Sequence, residues 1–142
     1  MKYAKIFFQC LLGLFMTYAG IAHLTFSRAE FVAQVPMWLR FSPEFTDFVV
    51  LASGVVEVLL GLGMLCLWKR GHAWVGIILA LFYVAVFPGN INQYVYHIDA
   101  FGLTTDTARL IRLFFQPVLI FLAIWSTNAW DKVKNCSCCK KK

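Results

Sequence analysis

The chain has 142 residues, of which 61% are hydrophobic and 14% charged, against about 25% charged in an average soluble domain, and its mean hydropathy is +0.71. This excludes an ordinary soluble fold and leaves room for a single membrane domain. The net charge of +6 would suggest nucleic acid in a soluble protein. Here the basic residues sit in short segments between apolar runs and no nucleic-acid-reading module fits, so membrane topology and anionic lipid account for the charge better.

Lys2 and Lys5 lead into a first span, about 6–25. A basic start, an apolar stretch and small residues at Gly20 to Ala22 are also found in signal peptides, but the stretch exceeds an h-region of about 7–15 residues and further spans follow, so it is expected to be retained. On a helix Gln9, Gly13, Thr17, Gly20 and His23 form one small or polar stripe. The segment from Phe26 to Asp47 is too long for a structureless connection. Ser27 to Glu30 fits a capping box and Pro36 limits the helix that it starts. Phe31, Val35, Met37, Trp38, Leu39 and Phe41 give that segment an apolar side, which suits a short interfacial helix or a lid over the bundle mouth.

Ser42, Pro43 and Glu44 form a second start signal, with N-cap, first-turn proline and an acid at the positive end of the dipole. The second span, about 47–68, has the roughly 20 apolar residues that cross a bilayer and holds one ionisable group, Glu57. A carboxylate at that depth is costly and usually faces a bundle interior or a cavity. Gly54, Glu57 and Gly61 share its face, where small residues let another helix come close. Lys69 to His72 is a basic turn between antiparallel helices.

In the third span, about 73–96, Gly76, Ala80, Tyr83, Phe87, Asn90 and Tyr94 share a face; Pro88 and Gly89 are expected to bend its outer end, which Asn90, Asn92 and Gln93 crowd. After a loop from His97 to Thr105, Thr104 to Asp106 offer N-caps for the fourth span, about 107–127. There Arg109, Arg112, Gln116, Ile120, Ala123 and Thr127 form a stripe, and Pro117 is an expected kink. Residues 131–142 form a basic, cysteine-bearing tail expected to be mobile and cytoplasmic.

Of the 13 Lys and Arg residues, nine fall at the N-terminus, in the 69–72 turn and in the tail; only Arg28, Arg40, Arg109 and Arg112 lie on the other side. Both termini are therefore expected in the cytoplasm of a multi-pass plasma (inner) membrane protein. With 1.5 Å of rise per residue, His23, Glu57, Asn90, Arg109, Arg112 and Gln116 are expected to converge on an outward polar pocket, with Arg112 the cation for Glu57 through Gln116 or water. The alternative is that these groups only hydrogen-bond to one another, each contributing about 0.6 kcal/mol. Arg109 also suits snorkelling to headgroups, His23 a satisfied imidazole, and Asn90 a cap on carbonyls freed by the bend.

No catalytic residue stands out and no metal site is expected. Cys136, Cys138 and Cys139 lack a second ligand pair; a solvated thiol cluster or palmitoylation suits them better. Cys10 and Cys66 read as small apolar residues, and no disulfide framework is expected.

Four segments together resemble the DoxX-like family of small four-helix membrane proteins: Ala19 to Phe26 with Val35 and Pro36; Ser53 to Glu57 through Gly61 and Gly63; Val86 to Asn90; and Arg109 to Arg112 through Gln116 and Pro117. The resemblance implies a DoxX-like domain over residues 1–130, a bundle like that of vitamin K epoxide reductase, and roles as subunits of quinone-linked oxidation, partners in membrane oxidoreductase complexes or assembly factors. By position His23, Glu57, Asn90, Arg112 and Gln116 match the family's polar pattern. The chain departs from the redox enzyme in having no outer cysteine, its one C-x-x-C spacing, Cys136 to Cys139, lying in the tail, so autonomous thiol oxidation is not expected.

The resulting expectation is an all-α membrane protein, a four-transmembrane-helix bundle with a short interfacial helix between helices 1 and 2. It would act as an accessory or quinone-associated subunit of a membrane redox system, with quinone as the implied cofactor. Its partners would be the lipid bilayer, other membrane redox subunits or a second copy of the chain. The alternatives are a non-enzymatic membrane scaffold or assembly factor, and a small-molecule carrier.

Overall fold

The computed structural model describes residues 1–66 and 72–134. Its elements are α1 (Lys2–Leu24), α2 (Arg28–Gln34), a 3-10 turn (Met37–Leu39), α3 (Pro43–Cys66), α4 (His72–Val95), α5 (Asp106–Ser126) and α6 (Ala129–Lys134), with no β-strand among the described residues. The four long helices, of 21 to 24 residues, are each long and apolar enough to cross a membrane. The fold is an all-α four-helix bundle, and the chain is a multi-pass membrane protein. Phe7, Phe15, Leu59, Leu81, Phe114 and Phe121 point outwards, as the lipid-facing sides of such helices must.

The bundle is two antiparallel pairs. In the first, Gly13 and Gly20 of α1 lie against Gly61 and Gly54 of α3: a Cβ on Gly20 would come within 2.6 Å of the Gly54 carbonyl, and one on Gly61 within 2.7 Å of the Gly13 carbonyl. Backbones this close need glycine on both sides. In the second pair, Gly76 of α4 takes Ala123 and Thr127 of α5 against its backbone. The pairs pack more loosely on each other, α1 facing α5 and α3 facing α4. Leu12, Met16, Leu60, Met64, Leu79, Ala80, Tyr83 and Ala123 fill the half nearer the termini. The other half, where α1 and α4 stop and α3 and α5 start, is covered by α2 and the 3-10 turn; it is called the cap end below.

Two helix starts follow the expected chemistry. The Ser42 hydroxyl accepts from Phe45 N at 3.1 Å and that of Thr105 from Ala108 N at 3.3 Å, each satisfying a free donor. The capping box at Ser27 does not form, because Ser27 makes no side-chain cap bond and Glu30 accepts from the distant Phe101 amide instead. α3 starts at Pro43, where the Ser42, Pro43 and Glu44 signal puts it, ahead of the membrane span expected from 47, and both α4 and α5 continue through their prolines, Pro88 and Pro117. The part of the tail up to Lys134 is helical: α6 follows a turn at Asn128 (φ 54°). Asn128 accepts from Lys5 Nζ at 2.5 Å, and Ala129 is fully buried. Residues 67–68 of the expected second span, the basic turn at 69–71 and the tail from 135, with Cys136, Cys138 and Cys139, lie outside the described residues.

Candidate functional site

Between the two pairs, toward the cap end, lies a cavity of about 700 Å³. Its wall is mainly apolar, with Met16, Val50, Phe82, Val86, Phe115 and Leu119. The polar groups on it are His23, Ser53 and Glu57 from one pair, Tyr83, Asn90, Arg112 and Gln116 from the other, and Gln34 from the cap. Five of the six residues expected from sequence thus share one cavity.

Arg109 stands apart from the other five. It is only 5% exposed, but it is anchored to the loop before its helix: it donates to the Ile98 carbonyl at 3.3 Å and pairs with Asp99 and Asp106. Its work is to hold the 97–105 connection onto α5. In the cap, Arg28 pairs with Asp47 and so ties the start of α2 to α3. That hydrogen bond to the carboxylate holds the Arg28 pKa above its ordinary value.

The acid at the heart of the site is Glu57, and its neighbour is His23, not Arg112. Gly20 against Gly54 sets the register of α1 on α3, and the missing side chain of Gly54 makes room for His23, whose Cβ would lie 2.7 Å from a Cβ there. The imidazole therefore lies across one turn of α3. Its Nδ1 is 3.3 Å from the Val50 carbonyl and 3.0 Å from Ser53 Oγ, while Ser53 donates to that same carbonyl at 2.8 Å. Nδ1 donates to the Val50 carbonyl and Ser53 in one tautomer and accepts from the Ser53 hydroxyl in the other. Nε2 faces Glu57 Oε2 at 3.4 Å, within ion-pair reach but longer than a good hydrogen bond. A bare lone pair facing a carboxylate would repel it, so one proton lies between them, on the carboxyl or on the imidazole. Phe31 from α2 covers the ring, 3.3 Å between centroids.

Arg112 lies nearer the cap. Its Nη1 donates to Gln93 Oε1 at 3.1 Å, its Nη2 to Gln34 Oε1 at 3.2 Å, and its guanidinium sits over Phe101, 4.6 Å from the ring centroid. Asn90 donates to Gln116 Oε1 at 2.7 Å, and Gln116 donates to the Tyr83 carbonyl at 2.9 Å, one residue before the Val84 carbonyl that Pro88 leaves without its usual donor. Neither amide reaches the Val84 carbonyl; together they tie α4 to α5. Two polar atoms on the wall have no hydrogen-bond partner among the described residues, the Tyr83 hydroxyl and Glu57 Oε2, and both are buried. No group of three or more metal-ligating side chains occurs among the described residues.

Sequence reasoning missed Gln34, Ser53 as the His23 partner, and Phe101. Gln34 falls between Phe31 and Val35 on the inward side of α2, a position that its spacing could have singled out. Phe101 carried no signal, since its place depends on a turn with positive φ at both Phe101 (57°) and Gly102 (70°). A family profile described as a domain of unknown function (DUF8561) matches residues 12–127, which takes in α1 from Leu12, the other three long helices whole and every residue of the cavity. No curated protein matches the chain, and no solved structure does.

Proposed function

The chain belongs to the family of the domain of unknown function DUF8561, and for it we propose a role as a quinone-associated accessory subunit of a membrane redox system, holding the headgroup of a lipid-soluble quinone in the cavity. The observation that carries this reading is the Tyr83 hydroxyl, buried without a partner among the described residues on a mainly apolar wall that also holds the His23–Glu57 pair. An unmatched buried polar group costs about 1–3 kcal/mol, and a ligand oxygen accepting from Tyr83 would relieve it.

A quinone ring offers carbonyl oxygens that only accept, on an apolar body that fits a cavity within the ~300–1,000 Å³ of ordinary ligand sites. Tyr83 would donate to one carbonyl. Glu57, sharing a proton with His23, would hold that proton within reach of the same oxygen, and Ser53 with Val50 would hold the imidazole in place. Bound quinone would supply the redox chemistry and partner subunits the electrons; this chain would bind, orient and keep the proton in place. The resemblance to DoxX-like proteins and the outward orientation expected from the Lys and Arg distribution belong to the same reading.

The test is purification in mild detergent with assay of co-extracted quinone by absorbance, repeated with Tyr83→Phe and Glu57→Gln. Quinone in the wild type and a loss of about tenfold or more in each variant is expected. Equal amounts in all three would remove the pocket assignment. A second reading, a membrane scaffold, is favoured by the closed Asn90–Gln116–Tyr83 chain, which is satisfied without a ligand; a wild type devoid of quinone would support it.

A further inference from the structure

Among the described residues Arg112 has no carboxylate within 4.0 Å, whereas Arg28 and Arg109 both do. Glu30, whose Oε2 accepts from the Phe101 amide, makes no ion pair with Arg112. Across the cavity the Glu57 charge is matched by the proton shared with His23. What holds Arg112 is neutral and locked in orientation. Gln34 Nε2 donates to Gln93 Oε1 at 2.6 Å, and Gln93 Nε2 points at the carbonyls of Ile98 and Ala100, so both carboxamides turn their oxygens to the guanidinium. Two of the arginine's five N–H donors are used in this way.

Below Arg112 the strip of wall between α1 and α5 is apolar. Phe115 and Leu119 follow it along α5, with Leu119 about 10 Å deeper by helix rise, and Ala19 and Ala22 face them from α1. Ile111, Phe115 and Tyr18 line the cavity and are also exposed outwards, so it opens sideways between α1 and α5 to where acyl chains lie. A half-buried cation with spare donors at the head of an apolar slot open to lipid suits a ligand of opposite charge.

We propose that Arg112 is an anion subsite for a membrane-borne amphipathic acid, whose ionised oxygen pairs with the guanidinium and whose apolar body lies along Phe115 and Leu119. This goes beyond the quinone reading and does not require it. The same chemistry is offered by a fatty-acid carboxylate and by the ionised hydroxyl of an alkylated hydroxyquinone, and the test separates them.

The purified full chain, in phosphatidylcholine nanodiscs, is titrated by equilibrium dialysis with dodecanoate against methyl dodecanoate, and with a 2-hydroxy-3-alkylnaphthoquinone against its methyl ether. In at least one pair the acid is expected to bind about tenfold tighter than its neutral partner, the factor that ~1.4 kcal/mol represents. The preference should fall below about twofold in Arg112→Gln and persist in Arg112→Lys. A preference confined to dodecanoate assigns the acyl source, and one confined to the hydroxyquinone the quinone source. Equal binding of acid and neutral partner in both pairs, or a preference unchanged in Arg112→Gln, overturns the proposal. Independently of any variant, a dodecanoate with a terminal diazirine should crosslink wild-type α5 between Ile111 and Leu119; labelling only elsewhere would also overturn it. Binding of the neutral ether without acid preference would leave the quinone reading standing alone, and dodecanoate binding with no neutral quinone bound would leave the anion subsite alone.

Discussion

Tyr83 is 4% exposed, and its hydroxyl has no partner among the described residues, so the oxygen adds nothing to folding that the ring does not already supply. Tyr83→Phe is therefore expected to leave the melting temperature in detergent unchanged, or to stabilise the protein by up to ~1 kcal/mol, while weakening cavity ligands. A clear fall in melting temperature would mean that the hydroxyl has a partner in the folded chain. Phe101 poses the converse case. With φ of 57° followed by Gly102 at 70°, and with Leu103 N bonded to the Ala100 carbonyl at 3.1 Å, it holds a place in a tight turn where Asn is usual and where a bulky residue costs about 1–2 kcal/mol. The ring's contacts offset this, since it packs on Phe31 with centroids 4.6 Å apart and lies under Arg112. Phe101→Asn trades backbone relief against those contacts. Its net change in stability is expected to stay within about 1 kcal/mol by thermal melting, with a measurable loss of acid preference at Arg112. A large destabilisation would show that the ring, not the turn, governs this loop.

The α1–α3 pair depends on backbone contact. A side chain on Gly61 would meet Thr17 N at 2.6 Å and the Gly13 carbonyl at 2.7 Å, and neither can move without moving a helix; a Cβ on Gly63 meets only the Val75 side chain, at 3.2 Å. Gly61→Val is expected to destabilise by about 3 kcal/mol or more, and Gly63→Ala by less than about 1 kcal/mol. Comparable melting temperatures for the two would contradict the pairing. This contact was readable in the sequence, because glycines seven residues apart on two apolar helices state both the face and the need for closeness. Where partners come from afar, the sequence was silent. Glu30 looked like half of a capping box because Ser27 stands three residues before it, but its acceptor role is fixed by Phe101, 71 residues away. Glu57 looked like a partner for Arg112 because depths were counted from expected helix ends. The glycine register instead lays His23 on the Val50 to Glu57 turn, and neutral amides hold Arg112.

Taken whole, the molecule is packed in one half and hollow in the other, and the two ends differ in how their charges are matched. At the cap end four arginines stand with five carboxylates, Glu30, Glu44, Asp47, Asp99 and Asp106. Arg28 and Arg109 are ion-paired, Arg40 donates to the carbonyls of Val35 and Ala33, and Arg112 is inside. Little positive charge is left at that surface. The terminal end has Lys2, Lys5, Lys132 and Lys134 with Asp131 as its acid among the described residues, and the sequence adds Lys69, Arg70 and three lysines at 140–142. Free positive charge is retained on the cytoplasmic side during insertion, so the cap and the cavity mouth are expected to face outwards. In a background with the five cysteines replaced by serine, Ser42→Cys should react with a membrane-impermeant maleimide on intact cells, and Ala4→Cys only after permeabilisation. The reverse pattern would turn the cavity to the cytoplasm. Its proton at Glu57 and His23 would then exchange with that compartment, and an outward-facing redox partner could no longer share a ligand with it.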